Sequence, residues 1–67
     1  MKAFIARDSD GSLFLYTPEP PIKSEEIWVS LYTPRNTFKI DDMLFPEVKW
    51  EDEEPTEINI EIVSKHQ

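Results

Sequence analysis

The stretch Ala3–Thr17, AFIARDSDGSLFLYT, sets two apolar runs on either side of Asp8-Ser9-Asp10-Gly11. A tight hairpin needs a residue at positive φ, and Gly11, the only glycine of the chain, supplies it beside Asp10. Residues 3–17 therefore read as a β-hairpin. Phe14 and Tyr16 share one face of its second strand, Leu13 and Leu15 the other. With both faces apolar, that strand is predicted to be central or sandwiched.

Proline punctuates the rest. Pro18, Pro20, Pro21, Pro34, Pro46 and Pro55 fall between apolar runs, as suits a residue that cannot donate to a strand ladder. Pro18–Pro21 is predicted to be extended, polyproline-like chain. Residues 26–32 read as a strand with Ile27, Val29 and Leu31 on one side and Trp28, Ser30 and Tyr32 on the other. After a turn at Pro34-Arg35-Asn36, residues 37–40 read as a short strand pairing with the one before. Asp41–Phe45 reads as one helical turn, capped by Asp41 or Asp42 and stopped before Pro46.

Residues 46–55 form an acidic loop anchored by Val48 and Trp50, its Glu51–Glu54 run expected to be mobile. Residues 57–64 alternate Ile58, Ile60 and Ile62 against Glu57, Asn59 and Glu61, the pattern of a strand with one wet face. The predicted fold is mainly β: a small antiparallel sheet of four or five short strands, one helical turn near 41–45, and one domain over residues 1–67.

Charge is segregated along the chain. Acids and bases balance over residues 1–40, so the whole net charge of -7 lies in residues 41–67. That field disfavours nucleic acid and anionic membrane and favours a basic partner. No cysteine is present and the single histidine is His66. A disulfide framework and thiolate metal sites are thereby excluded and a structural zinc site is not expected, leaving packing or association with a second copy as routes to stability. No apolar stretch near the start has signal-peptide length, and a cytoplasmic protein is the expectation.

Catalytic patterns fail on their chemistry. If Gly11 were the invariant glycine of a calcium loop, the first ligand position would be Ala6 and the bidentate acid position Thr17. Glu51-Asp52-Glu53-Glu54 could collect a cation only weakly, because adjacent carboxylates repel without a built cage. The serines have no internal histidine to activate them, and one glycine cannot build a phosphate loop. Trp28, Tyr32 and Trp50 could stack on single-stranded nucleic acid, but such platforms are basic.

Taken together, ARDSDGSLFLY (Ala6–Tyr16), Trp28 and IDDMLFPEVKWEDEEPTEINIEI (Ile40–Ile62) resemble a group of small uncharacterised acidic proteins encoded by gut bacteria, their phages and mobile elements. The shared pattern is an A-R-D-x-D-G-S-L start and an L-F-P-E-V-K-W-E-D-E-E-P core; residues 33–39 fall outside it. The group has no assigned activity, so no site residues transfer. The resemblance implies a phage or mobile-element setting and an interaction role in preference to a metabolic one.

The expected function is a non-catalytic interaction or accessory protein, without cofactor or metal. Its candidate surface comprises Glu51, Asp52, Glu53, Glu54, Trp28, Tyr32 and Trp50. An acidic DNA mimic that inhibits a nucleic-acid enzyme is the alternative, and a small hydrolase the third reading. The hairpin is directly testable. Gly11→Val should destabilise the fold by roughly 1 kcal/mol or more, because a β-branched residue resists positive φ. An unchanged thermal midpoint would show that the turn is misplaced.

Overall fold

In a computed structural model that describes residues 1–30 and 37–61, Gly11 adopts φ +94°. No atom lies near where a side chain would emerge, so the requirement for glycine there is purely conformational. The Gly11 N–H donates to the Asp8 carbonyl at 3.0 Å, and the Asp8 N–H to the Ser12 carbonyl at 2.8 Å. Asp10 Oδ1 accepts the Ser12 N–H at 2.9 Å. A left-handed glycine closing a three-residue loop matches the right-handed twist of the flanking strands.

The described strands are β1 (Lys2–Arg7), β2 (Leu13–Tyr16), β3 (Ile22–Lys23), β4 (Trp28–Val29), β5 (Thr37–Ile40) and β6 (Thr56–Asn59). The main sheet runs in the order β5-β2-β1-β6 and is antiparallel throughout. In the hairpin Phe4 lies opposite Tyr16 and Arg7 opposite Leu13. On the outer flanks Leu13 faces Ile40 and Ala3 faces Ile58. β3 and β4 form a separate two-stranded ribbon, with Lys23 opposite Trp28.

This register puts Phe4, Ala6, Phe14 and Tyr16 on one face of the sheet. Ala3, Ile5, Leu13, Leu15, Phe38, Ile40 and Ile58 take the other. Both faces carry a core, although Phe38 at the β5 edge stays exposed. Trp28 from the ribbon packs on Phe4, Ala6 and Tyr16, with Phe14 and Trp50 alongside. Val48 packs on Ile5 and Leu13, flanked by Leu15, Ile40 and Ile58. The double apolar character of β2 is thus explained by its central place between two thin cores.

Val48 and Trp50 are two residues apart yet serve opposite faces. The loop carrying them passes the end of the sheet beside Arg7, the last residue of β1. Arg7 Nε donates to the Val48 carbonyl at 2.7 Å. One terminal nitrogen donates to Gly11 and Asp42 carbonyls, at 2.7 and 3.0 Å. The other donates to Leu44 and Phe45, at 3.0 and 3.1 Å. All five guanidinium N–H groups therefore meet backbone carbonyls.

Three expectations need correction. Residues 37–40 pair with β2, not with the strand before them, because β2 is central and its outer edge requires a partner. The strand expected at 26–32 is described only at Trp28–Val29, paired with the unanticipated β3; Leu31 and Tyr32 lie outside the described residues.

The segment 41–45 is a turn with a single Leu44 N–H to Asp41 carbonyl bond of 3.1 Å, and no helix occurs among the described residues. The carbonyls of Asp42, Leu44 and Phe45 point to Arg7 instead of along a helix axis, and Pro46 has no N–H to give Asp42. Phe45 stands at φ +51°, held there by Arg7 and by the Val48 N–H on its carbonyl at 2.9 Å.

The C-terminal strand, expected over residues 57–64, is described at Thr56–Asn59, and the predicted alternation holds through Glu61. Ile58 and Ile60 are half-buried, and Glu57, Asn59 and Glu61 are exposed. Ile60 extends the ladder by exchanging hydrogen bonds with Met1 at 2.7 and 2.8 Å. Residues 62–64 lie outside the described residues.

The Arg7 junction makes a specific demand. Arg7→Lys keeps the charge but has three donors without a planar fork, so at least two of the five carbonyls lose the side-chain donor. The substitution should cost about 2 kcal/mol or more in urea unfolding. Hydrogen exchange at the Val48 amide should quicken. Native-like exchange at Val48 in Arg7→Lys would mean that the guanidinium does not hold the loop.

Candidate functional site

Trp28 heads the candidate surface by sequence, and the fold puts it to another use. It is only 5% exposed. Its N–H donates to Asp8 Oδ1 at 2.9 Å, its indole N–H to the Arg7 carbonyl at 3.1 Å, and its carbonyl accepts the Tyr16 hydroxyl at 3.2 Å. A tryptophan with every polar group engaged can be buried without an unpaired donor. The ribbon turn is fastened as well, since Ser9 donates to the Glu26 carbonyl through its N–H at 3.0 Å and its hydroxyl at 2.8 Å. Trp28 is a core residue that docks the ribbon.

Trp50 is half-buried and meets Trp28 edge to face, with ring centroids 6.4 Å apart at 81°. Over both rings lies the Lys23 ammonium, 4.2 Å from the Trp50 centroid and 5.6 Å from that of Trp28. It donates to the carbonyl of Trp50 and, at 2.9 Å, to that of Asp52. Asp52 also folds the loop on itself. Its Oδ2 accepts the Lys49 N–H at 3.0 Å, and its own N–H donates to the Lys49 carbonyl at 3.1 Å. The acidic run expected to be mobile is therefore tied to the aromatic pair.

Glu51, Glu53 and Glu54 are exposed and make no hydrogen bond or ion pair with another described residue. Of the seven candidate residues, the fold thus brings Trp28, Trp50 and the four acids to one region. Only Trp50 and the three glutamates face solvent there as candidates. Tyr32 lies outside the described residues. Lys23 belongs to the site and was not anticipated, because a cation over two rings arises from the β3–β4 pairing and leaves no spacing signature.

Elsewhere carboxylates serve the fold. Asp42 Oδ1 receives both the Lys39 ammonium and, at 3.0 Å, the Leu13 N–H. The Lys39 hydrogen bond and then the Leu13 amide hold its pKa below the ordinary value. The Ser12 amide lowers Asp10 in the same way. Asp8 is different: burial pushes its pKa up, against the pull of the Trp28 N–H and with a further push from Asp10. Burial, then the Asp8 charge, raises the Tyr16 hydroxyl to about 12.

Among the described residues no three His, Cys, Asp or Glu side chains converge on a metal-sized site, and no buried side-chain nitrogen or oxygen lacks a partner. An apolar tip, Met43-Leu44-Phe45, is exposed beside the Arg7 junction. No family model, curated protein or solved structure matches the chain.

The Asp8 environment fixes a pH dependence. A raised folded pKa means that the folded state binds the proton more tightly, so Asp8 favours folding increasingly as pH falls towards 3.8. Asp10 and Asp42, with lowered values, do the reverse: their contribution is present above 3.8 and is lost as pH falls. Asp8→Asn keeps an acceptor for Trp28 without burying a charge and should match or exceed native stability at neutral pH. Its advantage should shrink on acidification. Asp8→Ala strands the Trp28 N–H and should cost about 1–3 kcal/mol. Thermal melts of the three proteins across pH check the order, and an Asp8→Asn loss equal to that of Asp8→Ala at neutral pH would refute it.

Proposed function

We propose that this chain is a non-catalytic interaction module whose acidic loop meets a basic surface on a protein partner. One observation carries the reading: Glu51, Glu53 and Glu54 project from a loop anchored by Lys23 and Asp52, and none of them is ion-paired with a base among the described residues. Like charges held close repel one another, and a cationic partner relieves that repulsion while recovering their solvation cost. Asp52 accepts a backbone amide and is committed to structure, whereas these glutamates make no hydrogen bond or ion pair with another described residue. Anchoring also lowers the ordering cost of association. The resemblance to proteins of gut bacteria and their phages fits an accessory role of this kind.

Replacement of Glu51, Glu53 and Glu54 by glutamine, with Asp52 left intact, tests the reading. Affinity capture from the native host at low and high salt should recover a basic partner with the native protein at low salt only. The triple variant should lose it while its melting temperature stays level or rises. Identical, salt-insensitive captures from both proteins would remove the loop from the functional account. A DNA mimic is the special case in which duplex DNA competes with the module for the captured partner.

A further inference from the structure

The Lys23 ammonium fills a site whose parts would serve any primary amine. Two indoles wall it, at 4.2 and 5.6 Å from their centroids, and aromatic faces attract a cation electrostatically. The carbonyls of Trp50 and Asp52 accept its protons. Both converge on one nitrogen, which suits a compact ammonium better than the spread fork of a guanidinium. Glu51, Glu53 and Glu54 on the same loop add a negative field.

None of these contacts depends on which stem carries the ammonium. Lys23 is an exposed residue of a two-residue strand, and the described contacts of its side chain all run through the ammonium. The geometry points to a lysine-recognition site, filled at rest by the chain's own Lys23 and entered by a lysine side chain of the partner when Lys23 swings into solvent. This site rests on the basic-partner reading above and specifies the group that is read. Exchange swaps like for like, so self-occupancy sets the affinity. If Lys23 fills the site about nine-tenths of the time, an incoming lysine binds about ten-fold more weakly than to the vacant site.

Lys23→Met keeps an unbranched apolar stem and removes the ammonium. The full chain is titrated with Nα-acetyl-lysine amide and followed through the Trp50 indole N–H resonance. Lys23→Met should bind about ten-fold more tightly than the native chain. Lys49→Met, with the same change of charge, should bind as the native chain does. Nα-acetyl-norleucine amide, which lacks the charge, should leave the resonance unmoved. In the Lys23→Met background Trp50→Phe, followed at the indole N–H of Trp28 as the second ring of the site, should weaken binding, since phenylalanine offers a poorer cation face.

Equal affinities of native and Lys23→Met chains, an equal gain in Lys49→Met, or an equal response to the norleucine amide would overturn the site. A salt-sensitive partner captured by a chain that binds no lysine amide in either form would keep the acidic loop and discard the cage. Lysine-amide binding with the expected gain, but no salt-sensitive partner, would keep the cage and discard the broader reading.

Discussion

One guanidinium holds the two halves of this protein together. Arg7 stands at the end of β1, where the hairpin turn begins and the 42–48 segment must pass from the β5 edge towards β6. Five backbone carbonyls from Gly11, Asp42, Leu44, Phe45 and Val48 point to it. A loop without helix or ladder has few internal partners for such carbonyls, here only the Val48 N–H on that of Phe45, and a planar group with five donors answers that need in one side chain. Phe45 tolerates φ +51° because its carbonyl is fastened from two sides. The placement of Val48 on one sheet face and Trp50 on the other follows from where Arg7 holds the chain.

The second junction works by the same economy. Asp8, Arg7 and Tyr16 each contribute one hydrogen bond to Trp28, so its indole can be buried on Phe4, Ala6 and Tyr16 without an orphaned polar group. A sheet this small would leave that face wet without the ribbon. The cost is a carboxyl held in a site that disfavours its charge, which is the origin of the opposite pH responses of Asp8 and of Asp10 and Asp42.

Charge segregation in the sequence resolves into three populations in the fold. Asp42 and Asp52 accept backbone amides and act as structural acceptors. Glu57 lies 3.9 Å from Lys2 across the β1–β6 pair, both side chains well exposed, a geometry that contributes little to stability. Glu51, Glu53 and Glu54 answer to no internal base among the described residues, and they lie on the loop whose neighbouring carbonyls hold Lys23. The proposed partner surface and the proposed lysine site are therefore two properties of one loop.

The sequence alone determined what depends on neighbours in the chain. Gly11 beside Asp10 specified the hairpin because only local φ is at stake there, and the period-two alternation of Ile58 and Ile60 specified the wet and dry sides of the last strand. The two apolar faces of Leu13–Tyr16 announced a central strand, and Val48 and Trp50 were legible as anchors because they are isolated apolar residues in an acidic loop. Tertiary structure alone decided which strands pair, since β5 joins β2 through contacts with no local signature. It also turned Asp41–Phe45 from a helical turn into a bend, because Arg7 lies 35 residues from Asp42 and takes its carbonyl. Trp28 became core and Lys23 became part of the site for the same reason. Long-range hydrogen bonds and cation–ring contacts are set by where strands meet in space, and no spacing along the chain encodes them.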